Sequence, residues 1–194
     1  SKEEIVLDRK KLIGTIIGVI FFVALIAGAT FAWLTFNANV TNGNYNVSTG
    51  NFLVDYQGDT ELTDIKTLSN VTAANVATSG ATKVTVKAAK KTADSANGTL
   101  TVKLTTTSTG DTALDLSSGV LKYSVQVGTN AASAPQAVPE TSSTTALDLT
   151  TIDLTSTTQT NVTVYFWLDS SLLDNDDIGK TYQGYVHASA EQAH

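Results

Sequence analysis

The chain has no cysteine and no methionine, only two prolines and two histidines, and charged residues make up 15% of its 194 positions. Without cysteine there is no disulfide staple, no thiolate metal site and no thiol nucleophile. A small disulfide scaffold is thereby excluded, although an extracellular location is not. His187 and His194 cannot build a histidine-rich zinc site by themselves. The formal net charge is −6, and after Lys11 the basic residues gather only at Lys87, Lys90 and Lys91. Nucleic acid requires clustered Lys and Arg against its phosphates, so that class of partner is excluded. The three lysines read as a solvated loop.

What the chain does have is threonine, valine and tyrosine, residues that suit a pleated, half-buried surface. Alternation with period two runs through Tyr45, Val47 and Thr49, then past Gly50 into Phe52, Val54 and Tyr56. It returns at 82–88, 98–108, 119–128, 161–169 and 180–191. Short strands parted by turn-rich gaps predict an antiparallel β-sandwich rather than βαβ units. Both prolines, Pro135 and Pro139, fall in 129–160, which reads as a long loop with one or two edge strands. No stretch after residue 40 has a helical period.

The N-terminus is different. SKEEIVLDRKK is charged, and from Leu12 to Phe36 no charge appears; the next is Asp55. Roughly 20 apolar residues in a helix cross a bilayer core of about 30 Å. Arg9, Lys10 and Lys11 stand just before the run and orient it with the basic end in the cytoplasm. The chain after about residue 36 is then exported to the cell surface, with Trp33 and Phe36 near the outer interface. Two readings of the run stand. It is a signal peptide cut near its small residues, or a retained helix. Its length exceeds an ordinary signal core. Gly14 and Gly18, with Ala24 and Gly28, repeat a small-xxx-small spacing that lets helices pack closely. The organisation expected is 1–36 as stub and apolar helix, 37–44 as connector and 45–194 as sandwich.

A sandwich has edges, and an unguarded edge pairs with another chain. A filament subunit exploits this by strand addition, and the charge-free stretch Asn37–Phe52 is placed to be donated. Tyr45, Val47 and Phe52 are its candidate donor residues; the other reading makes them an ordinary first strand.

The catalytic inventory is bare. No Ser or Thr sits in a G-x-S-x-G elbow, and there is no GxGxxG and no P-loop. His187 lies on an alternating strand and reads as an exposed surface residue. No enzyme, no organic cofactor and no small-molecule substrate are expected. The acidic loop LDNDDIG offers Asp174, Asp176 and Asp177, with Asp169 nearby, as hard oxygen ligands for Ca²⁺. It lacks the EF-hand spacing, and a solvated acidic turn is the simpler expectation. Asn-x-Ser/Thr occurs at Asn39, Asn46, Asn70, Asn97 and Asn161, candidate glycosylation sites if the source cell modifies such residues.

Two stretches carry a resemblance. GATFAWLTFNANVTNGNYNVSTGNFLVDY joins an apolar helix to a polar gap and an alternating strand, and VTVYFWLDSSLLDNDDIGKTYQGYVHASAEQ closes the chain. Together they resemble the TasA/camelysin family of surface and biofilm-matrix proteins. The resemblance covers the seam and the last thirty or so residues. It implies a jelly-roll-like sandwich, no catalysis, assembly of copies into extracellular fibres by donor-strand complementation, and a cut near Ala32 and Trp33. The run Leu12–Phe36 is also similar to the N-terminal helices of type IV-like pilins. Burying the charges of SKEEIVLDRKK in a helical filament core would be costly. The leading expectation is a structural subunit of an extracellular filament, a pilus or matrix fibre. The alternative is a membrane-anchored, monomeric surface module that binds through its loops.

Overall fold

The segment 98–106 shows how the sequence becomes a sheet. Its residues alternate buried and half-buried from end to end, with Leu100, Val102 and Leu104 fully inside and Thr and Lys between them. The computed structural model describes residues 36–38, 45–57, 60–140 and 145–193, and for 36–38 and 45–49 the backbone alone.

In chain order the strands are β1 (Phe36–Ala38), β2 (Tyr45–Thr49), β3 (Phe52–Gln57), β4 (Glu61–Leu62), β5 (Thr67–Leu68) and β6 (Thr82–Lys90). They continue with β7 (Gly98–Thr106), β8 (Leu121–Val127), β9 (Gln136–Ala137), β10 (Leu147–Leu154), β11 (Thr160–Asp169) and β12 (Gly184–Gln192). Short 3-10 turns lie at Val76–Thr78 and Asn175–Asp177. Strands β2, β3, β6, β7, β8, β11 and β12 coincide with the alternating stretches of the sequence. The segment 129–160 holds β9 and β10, each at the edge of a sheet. Pro135 and Pro139 flank β9 and stop it at two residues, because proline lacks the N–H a ladder needs.

The strands form two sheets. One runs β1-β12-β7-β10, with β4 also on β12; the other runs β2-β3-β6-β11-β8-β9, with β5 on β11. All pairings between these strands are antiparallel except β5 with β11. Their inner faces supply one core: Phe52, Val54 and Tyr56 from β3, Val84 and Val86 from β6, Leu100, Val102 and Leu104 from β7, Val186 from β12. Each such side chain contributes about 1.5–3 kcal/mol when taken from water. Gly98 opens β7 where the chain passes closest: a Cβ there would overlap the Phe52 ring and the Glu191 carbonyl oxygen.

β11 departs from alternation for a physical reason. Val164, Tyr165, Phe166 and Trp167 are all buried, because both faces of this strand are covered. Val164 and Phe166 face the core, while Tyr165 and Trp167 pack with Leu68 of β5 and with Val71 and Val76 from the excursion between β5 and β6. Threonine has a use on the outer faces as well. Thr85 and Thr163 meet hydroxyl to hydroxyl at 3.0 Å across β6 and β11, and Thr101 and Thr151 at 3.3 Å across β7 and β10.

One side chain stitches the sheets together. On the edge of β12 where β4 pairs at Gly184 and Tyr185 and β1 ends at Ala188, two amides are met by groups outside those strands. Thr60 carbonyl oxygen accepts the Val186 N–H at 2.9 Å, and the Tyr56 hydroxyl accepts the Ala188 N–H at 2.8 Å. Tyr56 is fully buried and reaches from one sheet to the backbone of the other.

Two sequence expectations need correction. Lys90 is not in a solvated loop: it ends β6 and is 8% exposed. The chain turns directly after it, and its ammonium donates to the Ala93 carbonyl at 3.2 Å and Asn97 Oδ1 at 3.0 Å, which replace water. His187 is not on an open surface either. It is 9% exposed: Lys103 of β7 stands opposite it, and the Tyr185 ring lies against the imidazole with centroids 5.6 Å apart.

Candidate functional site

The edges of the sandwich come first. β1 pairs with β12 in the register Phe36 to Ala190 and Ala38 to Ala188. β2 pairs with β3, Tyr45 to Tyr56 and Thr49 to Phe52, through a turn at Gly50 and Asn51. The two strands are the outer strands of different sheets. The stretch 37–44, read as connector, therefore begins inside β1. Of the candidate donor residues, Tyr45 and Val47 lie on β2, and Phe52 is a core residue of β3, 2% exposed. Gly14, Gly18, Ala24, Gly28, the cut near Ala32 and Trp33, and Asn39 lie outside the described residues. Among the described residues no helix is long and apolar enough to cross a membrane.

At one end of the sandwich sits the acidic loop. Asp169 Oδ1 accepts from the Ser171 N–H at 3.0 Å and its hydroxyl at 2.7 Å. Asp174 Oδ1 accepts from the Asp176 N–H at 2.8 Å, and Asp177 Oδ2 accepts from the Asp174 N–H at 3.0 Å. Together Asp174 and Asp177 cap the turn Asn175–Asp177 from both directions. Asp115 does the same for Ser117, whose backbone and hydroxyl hold its carboxyl below the usual range. These carboxylates spend lone pairs on their own backbone. Among the described residues no group of three or more His, Asp or Glu is placed to hold a metal ion. A cleft of about 410 Å³ lies beside the loop, lined by Asp115, Asp174, Asp176, Asp177 and Lys180. Lys180 donates to the Asp111 carbonyl and ties the two sides together. A second cleft of about 320 Å³, with Thr106, Ser108, Leu116 and Glu140, adjoins it.

His187 stands across from Lys103 in β7, which pairs with Asp148 of β10 at 3.2 Å. Burial lowers its pKa, the Lys103 ammonium lowers it further, and Asp148 opposes both. Nδ1 has no hydrogen-bond partner among the described residues. Burial and the neighbouring ammonium thus favour the neutral imidazole.

The sequons sort by position. Asn70 is exposed with φ 56° and Asn161 is exposed on β11 opposite Lys87, so both are open to modification. Asn97 is engaged by Lys90, and Asn46 lies on β2. The sequence missed the gap between β8 and β10, a cleft of about 360 Å³ lined by Val125, Val127, Leu149 and Thr150 among others. Its signal was faint: Val127 ends the alternation of β8, and Leu149 lies at the bulge of β10 in a segment that reads as a loop.

Comparison of the chain with protein-family models, with curated proteins and with solved structures found no match.

Proposed function

We propose that this chain is an exported structural subunit that polymerises into an extracellular filament, a pilus or biofilm-matrix fibre, through its sheet edges. The observation that carries the reading is that the charge-free stretch after the apolar run supplies an outer strand to each sheet. In donor-strand complementation those strands are given to a neighbour. The exchange keeps every ladder hydrogen bond, with Phe36–Ala38 meeting Ala188–Ala190 of the next copy instead of its own. Swapping identical elements between copies costs little enthalpy for that reason. Packing of the apolar helix, with Gly14, Gly18, Ala24 and Gly28 at the contact, is the second route to assembly. On this reading the sandwich is jelly-roll-like and the chain is a relative of the TasA/camelysin group. Its partners are copies of itself, with the membrane as export route or anchor.

The test is electron microscopy of the full chain recovered from the surface of producing cells, with its intact mass and N-terminal sequence. Fibres of uniform width support the reading, and dispersed particles refute it. A start at Ser1 makes the helix part of the assembly, and a start near Trp33 leaves strand donation. The two adjoining polar clefts at the acidic end favour one alternative, a membrane-anchored monomeric binding module. Dispersed particles would bring it forward.

A further inference from the structure

An edge strand leaves outward N–H and C=O groups that can pair with another chain. Among the described residues the short strands β1, β4, β5 and β9 offer three residues or fewer. Two longer outer edges remain: β2, of five residues, and β10, of eight. A bulge between Asp148 and Thr150 interrupts β10 and leaves Thr150–Leu154 as its regular stretch, equal in length to β2. Because β12 packs against β3 and β10 against β6, the sheets run in the same lateral order. β2 therefore lies at one flank of the sandwich and β10 at the other.

Neither strand contains Pro, Gly or Lys, the usual guards of an edge. What guards there are act selectively. Two copies of β10 paired antiparallel about Thr150 and Thr151 would set Asp148 opposite Asp153, like charges face to face. β2 carries no charge, so nothing repels it from β10. Beside β10 lies the cleft of about 360 Å³ walled by Val125, Val127 and Leu149. A strand laid along β10 would roof it with every second side chain.

We propose that the outer edge of β2 in one copy pairs with the outer edge of β10 in the next, with Val47 opposite Ile152. Aligned end to end, five residues against five place these two central residues opposite each other whether the strands run parallel or antiparallel. The proposal rests on the reading of the chain as a polymerising subunit and names the surface that polymerises. The contact is heterologous, each copy has one of each edge on opposite flanks, and so the series does not close on a pair. No strand leaves its own sheet, which separates this mode from strand donation.

The chain has no cysteine, so cross-linking has no background. Directly opposed residues have Cα atoms about 4.5–5.5 Å apart, within disulfide reach. The full chain carrying Val47→Cys and Ile152→Cys together, recovered from the cell surface and mildly oxidised, is expected to run as a ladder of dimers, trimers and higher species. A mixture of the two single variants stops at dimers, and each single variant alone stays monomeric. Thr151→Lys, an exposed edge change, is expected to shorten fibres at least several-fold while leaving circular dichroism and melting unchanged. Dimers of a single variant would overturn the proposal in favour of a two-fold contact. Fibres of uniform width without a ladder would overturn the edge pairing and leave the polymer reading standing. Neither fibres nor ladder would remove both.

Discussion

Replacing Tyr56 with Phe tests the stitching of the two sheets. The ring stays, so the core loses no volume and no cavity term arises. What goes is the hydroxyl that accepts the Ala188 N–H at 2.8 Å and donates to the Ala188 carbonyl at 3.4 Å. The second contact is long and contributes little. The first leaves a fully buried amide without its acceptor, which costs about 1–3 kcal/mol. For a chain of this size that is a fall in melting temperature of about 2–4 °C per kcal/mol. Tyr123→Phe is the control: its hydroxyl donates to Gln136 Oε1 at 2.8 Å near the surface, where water can replace it. Its expected cost is about 1 kcal/mol or less. Urea denaturation of both variants, with amide exchange at Ala188, reads the difference. Exchange at Ala188 should quicken in Tyr56→Phe and not in Tyr123→Phe. A loss below about 0.5 kcal/mol for Tyr56→Phe, or one no larger than the control, would refute the claim that this hydroxyl joins the two sheets.

Three further outcomes follow from the same geometry. Tyr182, buried and hydrogen-bonded to Thr106 at 3.0 Å, has its pKa pushed up to about 12 by burial, so the folded state keeps a proton that the unfolded tyrosine loses near pH 10. Its contribution is present below pH 10 and fades between 10 and 12. About 2–3 kcal/mol is at stake, and an alkaline melting series should flatten in Tyr182→Phe. His187 runs the other way: its folded pKa lies below the unfolded value, so stability falls as pH drops through 6.5, and His187→Gln should remove that acid-side slope from a denaturation series between pH 7 and 5. Asp174→Ala removes a two-way cap and should cost about 1 kcal/mol, equally in calcium and in EDTA; a loss seen in calcium alone would mean that the loop binds the ion.

Much of this was legible in the residues. Gly98–Thr106 and Phe52–Gln57 read as strands because successive side chains of a strand point to opposite faces, and a core on one face imposes period two on the sequence. The stretch 161–169 read as one more alternating strand, and its burial on both faces came only with the packing of Val71 and Val76 over Tyr165 and Trp167. Pro135 and Pro139 marked a blunted edge by their missing N–H groups.

Other properties are not stored in any one segment. That Lys90 is buried depends on the carbonyls of a turn that follows it, and that His187 is buried depends on strands far away in the chain. Tyr56 looks like any alternating core residue until β12, 132 residues later, presents the Ala188 N–H to its hydroxyl. Which strands end a sheet, and so which backbone groups face outward, follows from the order of pairing. Local alternation makes a strand and chooses its inward face; only the assembled sheets decide which strands have a neighbour on each side. For this chain that order left β2 and β10 open on opposite flanks, because each has a partner on one side and among the described residues none on the other.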